Sequence, residues 1–257
     1  MDMTTDAQAT LLDCMLDLGQ MLLDCGAEIS RVEDTLTRIG NAYHATKTNV
    51  FVITSIISLT IAFPGHESMT ETRRITRDGG TDFIRLEKLN ALSRTVCADP
   101  IPLSELEERL QTISIGRKPF IVQFLGSIFA AGSYALFFGG TVWDALISAG
   151  FGVLICLLQI RLDKTELNTV ARNLLISFLV GIGVGVLVGL APGLHMDMIL
   201  IGDIMLLIPG LAMVNAVRNV LLGNTISGLV RLADSLLWAG SLAGGFMISL
   251  KIIDQFL

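Results

Sequence analysis

Residues 120–138 carry no charged side chain, and comparable apolar stretches run over residues 143–160, 174–194, 198–217 and 232–250. Each is long enough to cross a hydrocarbon core, which takes about 20 residues of helix. Lipid offers no partner to backbone N–H and C=O groups, so such stretches cross it as helices, whose hydrogen bonds close internally. The pattern restricts this half of the chain to a bundle of about five transmembrane α-helices, with the lipid bilayer as its solvent.

Charge falls abruptly where these stretches begin. Up to Pro119 there are 12 Lys/Arg and 17 Asp/Glu, whereas from Phe120 onward there are 6 and 7. The chain therefore divides into a domain over residues 1–118 of ordinary soluble composition and a five-helix transmembrane domain over residues 119–257. The acidic balance of the first domain argues against nucleic acid or an anionic membrane surface as its partner and leaves proteins or small molecules. Its opening residues, Met1 to Asp6, lack the basic region of a signal peptide, so the domain is expected in the cytosol.

Within the first domain, Leu11, Leu12, Met15, Leu18, Leu22 and Leu23 recur at helical spacing, and Ile29, Val32, Leu36 and Ile39 continue after Gly26-Ala27. Residues 50–63 are rich in Val, Ile, Thr and Phe, and Pro64-Gly65 turns the chain into residues 69–77, which predicts a small sheet of two to four strands. Residues 83–96 read as helix, and Ser104 with Glu107 forms a capping-box pattern for a helix running to about Ile115. This is a small α+β cytoplasmic domain.

Basic residues set the orientation of the spans. Arg117 and Lys118 precede the first, Arg161, Lys164 and Arg172 lie between the second and third, and Arg218 and Arg231 flank the fourth connection. The alternate loops, 139–142 and 191–197, have no Lys or Arg. The positive-inside rule then puts the N-terminus in the cytoplasm and, with five spans, Leu257 outside.

Glycines Gly181, Gly185 and Gly189, and Gly240 and Gly244, repeat every fourth residue and predict close helix packing. The fourth span differs, because it holds Asp203, then Pro209-Gly210, then Asn215 and Arg218. Proline removes a backbone donor and crowds the preceding turn, so a kink or unwound segment is expected near the midplane. An aspartate there costs about 3 kcal/mol on insertion scales, so Asp203 should point into the bundle, where Arg218 and Asp234 are the candidate partners. Discontinuous helices with intramembrane polar groups are how many transporters build substrate sites. Gln123, Ser127, Asp144 and Asn173 read as polar glue between helices.

Enzyme and metal signatures are poor. Cys14, Cys25, Cys97 and Cys156 form no C-x-x-C pair and have no histidine at zinc-finger spacing. His44, His66 and His195 fall in no metalloprotease, nucleophile-elbow or Walker pattern. The glycines at 181, 183 and 185 lie within an apolar span with no preceding strand, so they form no dinucleotide fingerprint. No metal and no cofactor is expected.

Several short runs carry a resemblance. They are Leu22-Leu23-Asp24-Cys25-Gly26-Ala27-Glu28 with Arg31-Val32-Glu33-Asp34-Thr35, then Asn90-Ala91-Leu92-Ser93-Arg94, Phe137-Phe138-Gly139-Gly140, Pro209-Gly210 and Asn215-Ala216-Val217-Arg218. In this order and spacing the chain resembles the threonine/serine exporter family over nearly its whole length. The resemblance implies the free-standing N-terminal component of a two-component exporter, with a separate, smaller membrane subunit of the same family. Some two-component members are similar to dicarboxylate (succinate) exporters. The family's soluble region has been likened to a hydrolase, but no nucleophile, base and orienter set stands out here, which leaves a gating or assembly role. The chain departs from the family pattern at Asn219 and Asn224, where two expected carboxylates are amides. An amide cannot change charge, so Asp203 and Asp234 become the candidate titrating groups.

The reading that follows is a subunit, not an enzyme, of a secondary-active exporter in the inner (plasma) membrane. It moves threonine or serine outward by alternating access around Pro209 and Gly210, is coupled to a proton or cation, and works as an oligomer. Arg218 would receive the substrate carboxylate, since its planar fork suits two oxygens. Asp203 would face the substrate ammonium or carry the coupling proton, Asn215 would bond a hydroxyl, and Asp234 would balance Arg218. The alternatives are a dicarboxylate exporter subunit, a membrane-anchored hydrolase using Asp24, Glu28 or His44, and a regulatory scaffold.

Overall fold

The helical periodicity at the start of the chain becomes α1 (Thr5–Asp24) and α2 (Ile29–Ala42) in the computed structural model, which describes residues 4–75, 81–114 and 120–256. The Thr4 hydroxyl accepts from Ala7 N at the start of α1. Between the helices Gly26 takes a φ of +87°, the left-handed conformation that glycine adopts without strain. Gly26 N donates to Leu23 O at 3.0 Å and Ala27 N to Leu22 O at 2.9 Å, closing the last turn of α1 in the manner of a glycine C-cap. The elbow from Cys25 to Glu28 is therefore fixed backbone.

A three-stranded antiparallel sheet follows, with β1 (Lys47–Ile53), β2 (Ile56–Ala62) and β3 (Met69–Arg74) in the order β1-β2-β3. The apolar run 50–63 thus holds parts of two strands, which turn at Thr54-Ser55. Ile57, Leu59 and Ile61 of β2 point into the core, while Ser58 pairs with Thr72 at 3.1 Å and Thr60 with Thr70 at 2.8 Å on the opposite face. Period-two alternation sets this register, because a slip by one residue would expose the isoleucines.

Next come α3 (Phe83–Ala98) and α4 (Leu103–Ser114). α4 starts at Leu103, so Ser104 lies inside it and is not its cap; the Pro102 carbonyl accepts from Glu105 N and Leu106 N, each at 3.0 Å. Leu11, Leu16, Ile29, Leu36, Leu89 and Val96 are buried together with the sheet isoleucines in one core, each worth about 1.5–3 kcal/mol of burial. The expected ends at Arg77 and Ile115, the pair Arg117 and Lys118, and Leu257 lie outside the described residues.

Among the described residues, four helices are long and apolar enough to cross a membrane: α5 (Phe120–Phe137), α6 (Val142–Leu162), α7 (Thr169–Leu190) and α10 (Thr225–Phe256). A fifth crossing is counted if α8 (Met196–Leu207) and α9 (Gly210–Leu221), bent by 52° at their break, form one span. Large apolar side chains such as Phe129, Phe137 and Trp143 are exposed, as lipid-facing positions require. α10 is 32 residues long and begins at Thr225, ahead of the apolar stretch at 232–250.

The chain clusters into two compact units, Met1–Arg117 with Asn215–Arg231, and Lys118–Val214 with Leu232–Leu257. Small residues pack the second. A Cβ on Gly152 would lie 2.7 Å from Ser127 O, and one on Gly132 would lie 3.0 Å from Ala145 O, so α5 and α6 meet backbone to backbone. Gly181 and Gly185 of α7 face Ser249 and Ile253 of α10. On α10 the close contact is made by Gly245 against Leu174 O, while Gly240 and Gly244 face open space; the repeat of small residues on that helix is therefore not its packing face.

Candidate functional site

α8 brings a carboxyl into the interior of the second unit. Gly202 seats this helix against α5 and α6, since a Cβ there would lie 2.7 Å from Ala131 O and would strike the Ser148 hydroxyl. The next residue, Asp203, is fully buried. Ser148 of α6, also fully buried, donates to Asp203 Oδ1 at 2.9 Å, and Asp203 Oδ2 has no hydrogen-bond partner among the described residues. A buried carboxyl with one oxygen open is a group that can hold a proton, a cation or a ligand's donor.

One turn further on, α8 ends. Ile208 is extended (φ −62°, ψ 127°), as the residue before a proline is steered to be. Gly210 N donates to Ile208 O at 2.8 Å, and the Pro209 carbonyl accepts from Met213 N at 3.0 Å to start α9. The expected discontinuity at Pro209-Gly210 is present as a break with a 52° bend. Gly210 is exposed, with nothing near the position a Cβ would take.

Beyond the break, Arg218 stands in the last turn of α9, where a cation suits the helix dipole. Its Nη1 lies 2.7 Å from Glu28 Oε1, with the Arg218 side chain 55% exposed and that of Glu28 17%. Both residues belong to the first unit. Asn215 is half-buried and Asp234, on α10, is exposed. Asn219 is buried with its Nδ2 lacking a partner among the described residues, and its carbonyl accepts from Asn224 N at 2.9 Å. The partners differ from those that charge alone suggested: Asp203 is held by Ser148, and Arg218 by Glu28.

A second buried carboxylate joins two helix starts. Asp144 of α6 closes a capping box with Thr141, accepting from Thr141 N and Oγ1, each at 2.8 Å. It also accepts from His195 N and meets His195 Nδ1, each at 2.9 Å, so the residue that caps α8 is tied to the start of α6. Asp144 and Ser148 are one turn apart on α6, and His195 and Asp203 about two turns apart on α8. The two helices are thus cross-braced at their ends and again beside Asp203. The Thr141-x-x-Asp144 spacing carries a capping-box signal in the sequence; Ser148 and His195 carry none that marks them as its companions.

The chain matches the sequence profile of a family described as "putative threonine/serine exporter" over residues 13–253. A protein of Mycobacterium tuberculosis named "Probable threonine/serine exporter" is 24% identical over 249 residues, an alignment that covers 94% of this chain and 46% of that relative. The chain therefore spans about half the length of the relative it matches. No solved structure matches it. With four or five apolar helices of spanning length and a profile match over nearly its full length, this is an integral membrane protein that belongs to the threonine/serine exporter family.

Proposed function

We propose that this chain is a subunit of a secondary-active exporter of small polar metabolites, with threonine and serine as its substrates. The observation that carries the reading is the carboxyl of Asp203, fully buried with one oxygen unpartnered among the described residues, on a helix that breaks at Pro209. Maintaining such a group in a membrane-spanning segment is costly, and function is the usual reason for its presence.

In this mechanism the break at Pro209-Gly210 supplies the flexible point for alternating access. Asp203 carries the coupling proton or cation, Arg218 receives the substrate carboxylate, Asn215 bonds a substrate hydroxyl, and Asp234 contributes charge at the cytoplasmic side. Residues 1–118 form a cytoplasmic gating or assembly domain and residues 119–257 the membrane domain, in the inner (plasma) membrane. The basic residues Arg161, Lys164 and Arg172 support a cytoplasmic N-terminus. A relative about twice as long supports a second, smaller membrane component as partner, in a larger oligomer. The protein itself is no enzyme on this reading.

The test is efflux of labelled threonine from vesicles holding this chain and its partner. Asp203→Asn is expected to reduce gradient-driven efflux to background while the protein still elutes as a folded species. Efflux at the wild-type rate would remove Asp203 from the mechanism.

A further inference from the structure

The run from Leu22 to Glu28 ends in a side chain that does not cap the helix it begins. Glu28 is the N-cap residue of α2, yet its carboxylate makes no capping hydrogen bond. The elbow before it is fixed by the bonds of Gly26 N and Ala27 N to the end of α1, and Asp82 N holds the Cys25 carbonyl at 3.2 Å. Glu28 is thus presented from rigid backbone, largely shielded from water, with its Oε1 on Arg218.

A guanidinium has five N–H donors in a planar fork. The contact of Arg218 with Glu28 uses Nη1, and more than half of the side chain is open to solvent, so room for a second anion remains on the fork. A carboxylate arriving there meets Glu28 as a resident negative charge. A zwitterion with its ammonium beside its carboxylate matches both: carboxylate to Arg218, ammonium to Glu28, and every charge paired. A dicarboxylate brings two negative charges to one cation and one anion, and the surplus faces Glu28. Like-charge juxtaposition of this kind is a common device for rejecting a competitor.

We propose that Glu28 is a specificity-determining residue of the substrate site, which receives the ammonium group of an amino acid and rejects dianions. This rests on the reading of Arg218 as the carboxylate receptor. The experiment measures equilibrium binding of radiolabelled threonine and of radiolabelled succinate to the purified full-length chain in lipid nanodiscs. Glu28→Gln is expected to weaken threonine at least about tenfold, about 1.4 kcal/mol, while succinate holds or tightens; Glu28→Asp, which keeps the charge, should retain the wild-type preference. A Glu28→Gln protein whose threonine-to-succinate ratio is unchanged, whether both affinities hold or fall together, overturns the proposal. Arg218→Gln tests the underlying reading separately: loss of both ligands supports it, and retention of both removes Arg218 and Glu28 together. A wild-type chain that binds neither ligand at millimolar concentration also overturns both.

Discussion

Asp144 and Asp203 are equally buried but unequally held, and the difference sets what their neighbours should do. Asp144 is satisfied by groups of both Thr141 and His195, whereas among the described residues Asp203 has the Ser148 hydroxyl alone. Ser148→Ala is expected to cost about 1–3 kcal/mol through loss of a buried donor and to impair efflux, while His195→Ala leaves Asp144 with Thr141 and the backbone N–H of residue 195 and costs less; thermal midpoints of the two variants in detergent give the order. In the first unit, burial pushes the Cys14 thiol from 9.0 up to about 11, helped by Glu107, Asp17 and Asp13. Burial likewise pushes Tyr43 from 10.0 up to about 12, with Cys14 and Glu105 adding to it. Well below pH 9 both groups are neutral in the folded and unfolded chain, and their contribution is fully present. As pH rises from about 9 to 12 the unfolded chain releases these protons first, so stability falls. A thermal midpoint followed from pH 8 to 11.5 should drop over this window, and Cys14→Ala should flatten its lower part.

At the scale of elements, α8 is tightly packed at Gly202, and a substitution there can be set against one on an open face of α10. Gly202→Val puts a branched side chain against Ala131 O and Ser148, and is expected to destabilise by about 1–3 kcal/mol or more. Gly240→Val, on an open face of α10, should leave the thermal midpoint nearly unchanged; equal losses would mean that α10 packs elsewhere than described. Pro209→Ala restores a backbone donor at the break, and is expected to raise helicity by circular dichroism and slow efflux about tenfold. The helices and this break were legible in the sequence because each has a local cause: apolar length, apolar residues at helical spacing, Pro before Gly; the Ser104 and Glu107 pattern did mark a helix, but not its cap. The turn at Thr54-Ser55 was not, since it interrupts a Val/Ile/Thr run without glycine, proline or asparagine. Nor were the polar partners. Glu28 and Arg218 lie far apart in the chain, and opposite charge names no particular mate; the Ser148 hydroxyl looks like any other in an apolar helix until packing brings α8 beside it.

At the scale of the whole molecule, the alignment with a relative about twice as long bears on what this chain can do alone. If the second component completes the permeation path, the chain by itself should show no gradient-driven efflux in vesicles and should acquire it when the partner is co-reconstituted; full activity of the chain alone would remove the need for a partner. The clustering of Asn215–Arg231 with the N-terminal region also matters, because Arg218, Ala216 and Asn219 come with it. A fragment ending at residue 114 lacks them and is expected to melt below the first unit of the full chain, as read by segment-resolved hydrogen exchange. The length of α10 has a mechanical meaning of its own. Thirty-two residues make a rod of about 48 Å at 1.5 Å per residue, set in an oily layer about 30 Å deep. Tilting alone would need an angle beyond the usual range of about 40°, so some turns stand clear of the lipid as a stiff handle, and a push or twist on that handle from the aqueous side is felt directly by side chains deep within the bilayer.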